Sequence, residues 1–181
     1  MLRGNQITEM IDSEERVVLV DDFDIQTGTA DKLEAHRTGA LHRAFSVFIF
    51  DAGNRMLLQR RASSKYHSPG LWSNACCGHP RPGEGTDVAA ARRLNEELGI
   101  TTALQYASAF TYRAALRDGL VEHEIDHVYT GRTSDEPHPD PTEIDEVKWM
   151  TTDDVRAWLA RDPGAFTAWF SEALDCISST P

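Results

Sequence analysis

The chain has 181 residues, 40% of them hydrophobic, and a net charge of -11. That length fits one domain with one sizeable core, and no apolar run approaches the ~18 residues that would cross a bilayer. So acidic a chain disfavours nucleic acid and anionic membranes as partners, which makes its local basic clusters, Arg60/Arg61/Lys65 and Arg92/Arg93, informative as seats for a small anion.

Met1–Glu15 is polar and lacks the apolar core of a signal peptide, so it reads as a loosely ordered start to a cytoplasmic protein. Val17–Val20 reads as a strand, closed by the acidic turn Asp21, Asp22, Asp24. Residues 42–59, HRAFSVFIFDAGNRMLLQ, read as a β-hairpin, because two apolar runs flank Asp51-Ala52-Gly53-Asn54. Between 60 and 85 the breakers Pro69, Gly70, Gly78, Pro80, Pro82, Gly83 and Gly85 exclude a long regular element and mark a functional loop. Thr86 is then read as the cap of a helix ending at Leu98 before Gly99. On that helix Val88, Ala91, Leu94, Asn95 and Leu98 would share one face, with Arg93, Glu96 and Glu97 opposite. Strands are expected around Ala107–Tyr112, Val121–Tyr129 and Val147–Met150. Two helices end the chain, one from the Thr151/Thr152 cap to Ala160 and one from Pro163 to about Ile177. This order gives an α+β fold, an α/β sandwich of a mixed sheet with flanking helices, as one domain over 1–181. Cys76, Cys77 and Cys176 are odd in number and two are adjacent, so all three read as reduced thiols.

Two constellations carry chemistry. In GHPRPGEGTDVAAARRLNEELGI, Gly78–Ile100, a loop brings Glu84 towards Glu96 and Glu97 on a helix. Carboxylates so clustered repel one another unless a hard cation such as Mg²⁺ sits among them, and that cation also binds diphosphate oxygens. The second constellation joins His36, His42 and His79 with Glu122 and Glu124. The two glutamates are two apart in a strand and so share a face. Three imidazoles and two carboxylates suit one Mn²⁺, or Zn²⁺ in an expanded shell. His67, His123, His127 and His138 read as ordinary core or surface histidines.

The first segment resembles the Nudix box, G-x5-E-x7-R-E-U-x-E-E-x-G-U, with U a bulky aliphatic residue. It departs at Arg93, where Nudix hydrolases have Glu. A guanidinium there removes a metal ligand and supplies a phosphate clamp. LHRAFSVFIF, RRASSK, LWSNACCGHP, TYRA and VEHE complete a resemblance to the type I isopentenyl-diphosphate isomerases, Nudix-fold enzymes, from about Val17 to about Phe170. The resemblance implies that His36, His42, His79, Glu122 and Glu124 bind the main metal. It implies Cys77 and Glu124 as the acid–base pair, with Tyr112 bonding near Glu124, and Glu97 on a Mg²⁺ that bridges the diphosphate. Lys32, Arg61, Lys65 and Arg93 would contact the phosphates of isopentenyl diphosphate, and Trp169 would cap its hydrocarbon end. In this reading Glu124 donates the proton and Cys77, as thiolate, accepts one. Trp72 and Trp169 are candidates to face a carbocation. A monomer is expected, with a dimer the alternative; the rival activity is hydrolysis of a small diphosphate.

Overall fold

The computed structural model describes residues 15–65 and 67–178; the expectation for Met1–Glu15 lies, Glu15 apart, outside them. Nine strands form one branched sheet among the described residues. They are β1 (Arg16–Val20), β2 (Gln26–Asp31), β3 (His42–Phe50), β4 (Arg55–Arg61), β5 (Trp72–Ser73), β6 (Cys76–Gly78), β7 (Leu104–Ala115), β8 (Val121–Arg132) and β9 (Ile144–Thr151). Four helices accompany it: α1 (Lys32–Thr38), α2 (Thr86–Leu98), α3 (Thr152–Arg161) and α4 (Phe170–Ser178). No helix of the described residues is long and apolar enough to cross a membrane.

β3 is the centre. Residues Ala44 to Ile49 are all buried, as expected of a strand covered on both faces. Phe45, Val47 and Ile49 pack on Ala89, Ala90, Leu94 and Leu98 of α2. Phe48, on the other face by the two-residue alternation of a strand, packs with Val155 of α3 and Phe170, Ala173 and Leu174 of α4. This is the expected sandwich.

The hairpin over 42–59 forms at its turn, where β3 and β4 run antiparallel, but the two strands then part. β3 and β4 meet only at Phe50↔Met56. β3 instead runs parallel to β8 from His42↔Glu124 to Phe50↔Arg132 and borders β6 on its other side, while β4 pairs with β9 and β5. An apolar strand buried on both faces needs long-range neighbours, and the turn after it does not supply them. The cap of α2 is corrected. Gly85 is the N-cap, and Thr86 Oγ1 lies 2.6 Å from the Tyr129 hydroxyl. Its buried face is Ala89, Ala90, Leu94, Glu97 and Leu98, whereas Val88, Ala91 and Asn95 are exposed. After Pro163 the chain makes a single 3-10 turn, Pro163–Ala165, before α4 begins at Phe170.

Candidate active site

The site lies where the N-terminal end of β3 meets β8, under α1 and the loop after β4. α1 is short but well terminated. Asp31 caps it, accepting from the Glu34 backbone N–H at 3.2 Å, and Gly39 ends it at φ 66°, a conformation that glycine adopts without a Cβ penalty. This turn of helix delivers His36. β3 delivers His42, the segment after β6 delivers His79, and β8 delivers Glu124, which stands beside His42 in the parallel register.

One donor atom from each of His36, His42, His79 and Glu124 lies within 4.8 Å of the other three. Glu124 Oε1 is 2.8 Å from His79 Nε2 and 3.2 Å from His42 Nε2. The far ring nitrogens are already engaged: His36 Nδ1 is 2.6 Å from Lys32 O and His42 Nδ1 is 2.8 Å from Ala40 O. A carbonyl only accepts, so each Nδ1 carries the proton and each Nε2 turns a lone pair inward. Backbone-oriented imidazoles converging with a carboxylate are the usual outer arrangement of a metal site, and this donor set fits a divalent cation.

Glu122 is placed differently from the expected fifth ligand. Its Oε1 is 3.3 Å from His67 Nδ1 and its Oε2 is 3.3 Å from the Tyr112 hydroxyl; the four-donor group does not include it. A two-residue step along β8 moves it ~7 Å from Glu124. Tyr112 donates to Glu124 Oε2 at 2.5 Å.

A cavity of about 500 Å³ opens over this group. Cys77, His79, Tyr112, Glu122, Glu124 and Trp169 line it together with Lys32, Arg61, Lys65, Arg93 and Glu97. Lys32 pairs with Glu15 at 3.0 Å. Arg61 Nη1 lies 3.8 Å from Cys77 Sγ. Trp169 is held by its indole N–H, which donates to Asn74 Oδ1 at 3.2 Å. Trp72 instead packs in the core with Phe48 and Phe166. The two cysteines diverge: Cys76 is fully buried with Val47 and Leu94, while Cys77 faces the cavity. Successive side chains of strand β6 point to opposite faces, and glycine follows at 78, where a Cβ would stand 3.1 Å from the Phe45 ring.

The Nudix-like carboxylates do not converge as expected. Arg92 grips Glu84 with two bonds of 2.8 Å, and Glu96 pairs with Arg92 and Arg93. Guanidinium forks offset the charge of these carboxylates. Glu97 alone of the three reaches the cavity, bonded by Arg93 Nη2 at 2.7 Å.

The NUDIX domain family matches residues 40–170. Isopentenyl-diphosphate Delta-isomerase 1 of Aromatoleum aromaticum is 49% identical over 164 residues, covering 91% of this chain and 93% of that one. The isopentenyl-diphosphate Delta-isomerase of Streptomyces griseus is 51% identical over 161 residues, 87% of this chain and 80% of that one. This chain belongs to the isopentenyl-diphosphate Delta-isomerase family. A crystal structure of a Deinococcus radiodurans protein superposes with a TM-score of 0.73, covering 89% of this chain and 98% of that one at 21% identity. For the MutT protein of Methanosarcina mazei the TM-score is 0.64, over 76% and 93%, at 19% identity. These two likenesses bear on the fold.

In this member of the isomerase family the electrostatics differ from the sequence expectation at one point. Burial pushes the Cys77 thiol up to about 12, with Arg61 opposing, so the protein's own groups favour the thiol over the expected thiolate. Burial also opposes ionisation of Glu124, but the adjacent imidazoles, with His79 hydrogen-bonded to it at 2.8 Å, hold its carboxyl well below the usual range. Burial and the neighbouring Glu124 push Glu122 well above that range. Two further residues of the cavity carry no clear mark in the sequence. His67 stands in it, its side chain 9% exposed; a single histidine in a loop gives no periodic signal. Glu143, just before β9, pairs with Lys65 and lies 3.2 Å from Arg93 Nη2. Only the surplus of basic residues nearby hints that a carboxylate is needed.

Proposed function

We propose that this chain interconverts isopentenyl diphosphate and dimethylallyl diphosphate, through a tertiary carbocation, with Cys77 and Glu124 as its acid–base pair. The observation that carries the reading is one cavity that brings two chemically distinct sets of groups together. One set is a thiol and a carboxylate beside buried aromatic side chains; the other is Lys32, Arg61, Lys65 and Arg93. Four cations suit a diphosphate, which anchors the non-reacting end and holds the alkene against the acid.

In one assignment of the two steps, the Cys77 thiol gives its proton to the terminal alkene carbon, leaving a tertiary cation. The Glu124 carboxylate takes a proton from the carbon on the other side of the cationic centre, and the double bond forms there. One turnover leaves Cys77 as thiolate and Glu124 protonated, the pairing that serves the reverse direction. Tyr112, already donating to Glu124, fixes the carboxylate's orientation. Trp169 shields the cation and offers a π face that cannot capture it. His36, His42, His79 and Glu124 would hold one Mn²⁺ or Zn²⁺, and Glu97 a Mg²⁺ with the diphosphate; when bound, the first supplies positive charge that sets the proton affinity of Glu124. Glu122 stays in the proposed set as a neighbour of Tyr112. The protein acts as a cytoplasmic monomer on dissolved substrate. Hydrolysis is disfavoured by Arg93 and by the arginine pairing of Glu84 and Glu96. Chromatographic analysis of products from isopentenyl diphosphate tests the reading: dimethylallyl diphosphate is expected without phosphate release, and phosphate release without the allylic product overturns it.

A further inference from the structure

His67 lies outside the four-donor group, yet it touches Arg61 on one side and Glu122 on the other. Its loop is closed at the base by two backbone bonds, Arg61 N–H to Leu71 O at 2.9 Å and Gly70 N–H to Arg61 O at 3.0 Å. The next residue, Ser68, has φ 49°. That left-handed region is unfavourable for a residue with a Cβ and persists where the surroundings enforce it. The turn carries His67 over the cavity.

Arg61 Nη2 is 3.3 Å from the His67 carbonyl oxygen and 3.5 Å from its Nε2. A guanidinium has only donors, so Nε2 accepts at that contact and Nδ1 carries the ring proton. Nδ1 faces Glu122 Oε1 at 3.3 Å. Glu122 Oε2 is 3.3 Å from the Tyr112 hydroxyl, which donates to Glu124 Oε2. The imidazole also meets Trp169 edge to face, with centroids 6.5 Å apart. A run of close polar contacts therefore leads from Arg61 through His67, Glu122 and Tyr112 to Glu124, the His67–Glu122 approach being an ion-pair distance without hydrogen-bond geometry.

We propose that His67 is a positioning residue for the isomerisation: it fixes Glu122, and through it Tyr112 and Glu124, at a set spacing from the diphosphate clamp at Arg61. The inference rests on the isomerase reading above. Proton transfer to carbon needs the alkene within reach of its partner while the other end of the substrate is anchored, and a displacement of ~1 Å costs ~100-fold in rate. Arg61 keeps its contact with the His67 backbone carbonyl whatever the side chain, so substrate binding should survive where turnover does not.

Two variants of the full chain test this. His67→Phe keeps a ring against Trp169 and removes both nitrogens; His67→Gln keeps a donor and an acceptor. Steady-state turnover of isopentenyl diphosphate, affinity for inorganic pyrophosphate, bound metal and melting temperature are measured for each. His67→Phe should lose ~10-fold or more in kcat with KM and pyrophosphate affinity within about twofold. Its metal content and melting temperature should match wild type, and His67→Gln should recover most of the loss. Wild-type kcat in His67→Phe overturns the inference, as does a loss that follows KM or melting temperature, or equal loss in His67→Gln. A wild-type chain that fails to isomerise overturns the isomerase reading itself.

Discussion

Glu143 sits between Lys65 and Arg93 with its side chain 22% exposed. Burial alone would raise its carboxyl, but the two cations pull it from an ordinary 4.5 to about 2. A shift of that size corresponds to about 3 kcal/mol of differential proton binding. Because the folded-state value lies below the unfolded one, the unfolded chain takes up the proton first. The stabilisation is therefore complete above about pH 4.5 and is lost as pH falls towards 2. Glu143→Gln removes the charge and keeps the shape. Denaturant unfolding of both proteins between pH 7 and pH 3 reads this carboxyl together with the response of Glu97, whose own ionisation Glu143 opposes. The variant should be less stable by up to about 3 kcal/mol at pH 7, with the gap narrowing steadily below pH 4.5. No gap at pH 7, or a gap that does not change with acid, would refute the electrostatic account of this corner of the cavity.

Arg93→Glu should weaken pyrophosphate binding by ~10-fold or more, because a carboxylate beside Glu96, Glu97 and Glu143 repels what a guanidinium fork grips; calorimetry reads the affinity, and rapid phosphate release by the variant would contradict the role assigned to Arg93. Cys77→Ala should abolish most turnover while retaining fold and bound metal, whereas Cys76→Ala, deep in the core, should cost about 1 kcal/mol or less of stability and leave turnover intact. An alkylating substrate analogue that labels Cys76 in place of Cys77 would reverse that assignment. Purified protein should carry about one tightly bound transition metal per chain, and His42→Ala should lose it, as elemental analysis can show; full activity in a chelator with no metal bound would contradict the four-donor site.

Much of the architecture is legible in the sequence because it rests on local signals. α2 announces itself by its length and by Gly99, and α3 by the Thr151 cap, whose Oγ1 accepts from the Asp154 N–H. α1 escapes such a reading because seven residues span less than two full helical turns and show no period; Asp31, Glu34 and Gly39 are its available cap signals. The pairing of β3 with β8 joins residues about eighty positions apart, and no turn chemistry encodes such a contact. At the site, motif and spacing suffice to group His36, His42, His79 and Glu124. They place Glu122 on the same face, because side chains alternate along a strand, but say nothing of which neighbours it meets, here His67 and Tyr112. The proton affinity of Cys77 depends on burial, a tertiary property that the nearby cations in the sequence do not reveal.

Deuterium transfer to carbon tests the central claim most directly. The chain is incubated with isopentenyl diphosphate, Mg²⁺ and Mn²⁺ in D₂O, and the mixture is followed by proton and phosphorus NMR. Isomerisation by Cys77 and Glu124 predicts carbon-bound deuterium appearing together with dimethylallyl diphosphate, an intact diphosphate, and loss of both signals in Cys77→Ala. Release of orthophosphate or pyrophosphate with no deuterium on carbon would contradict it.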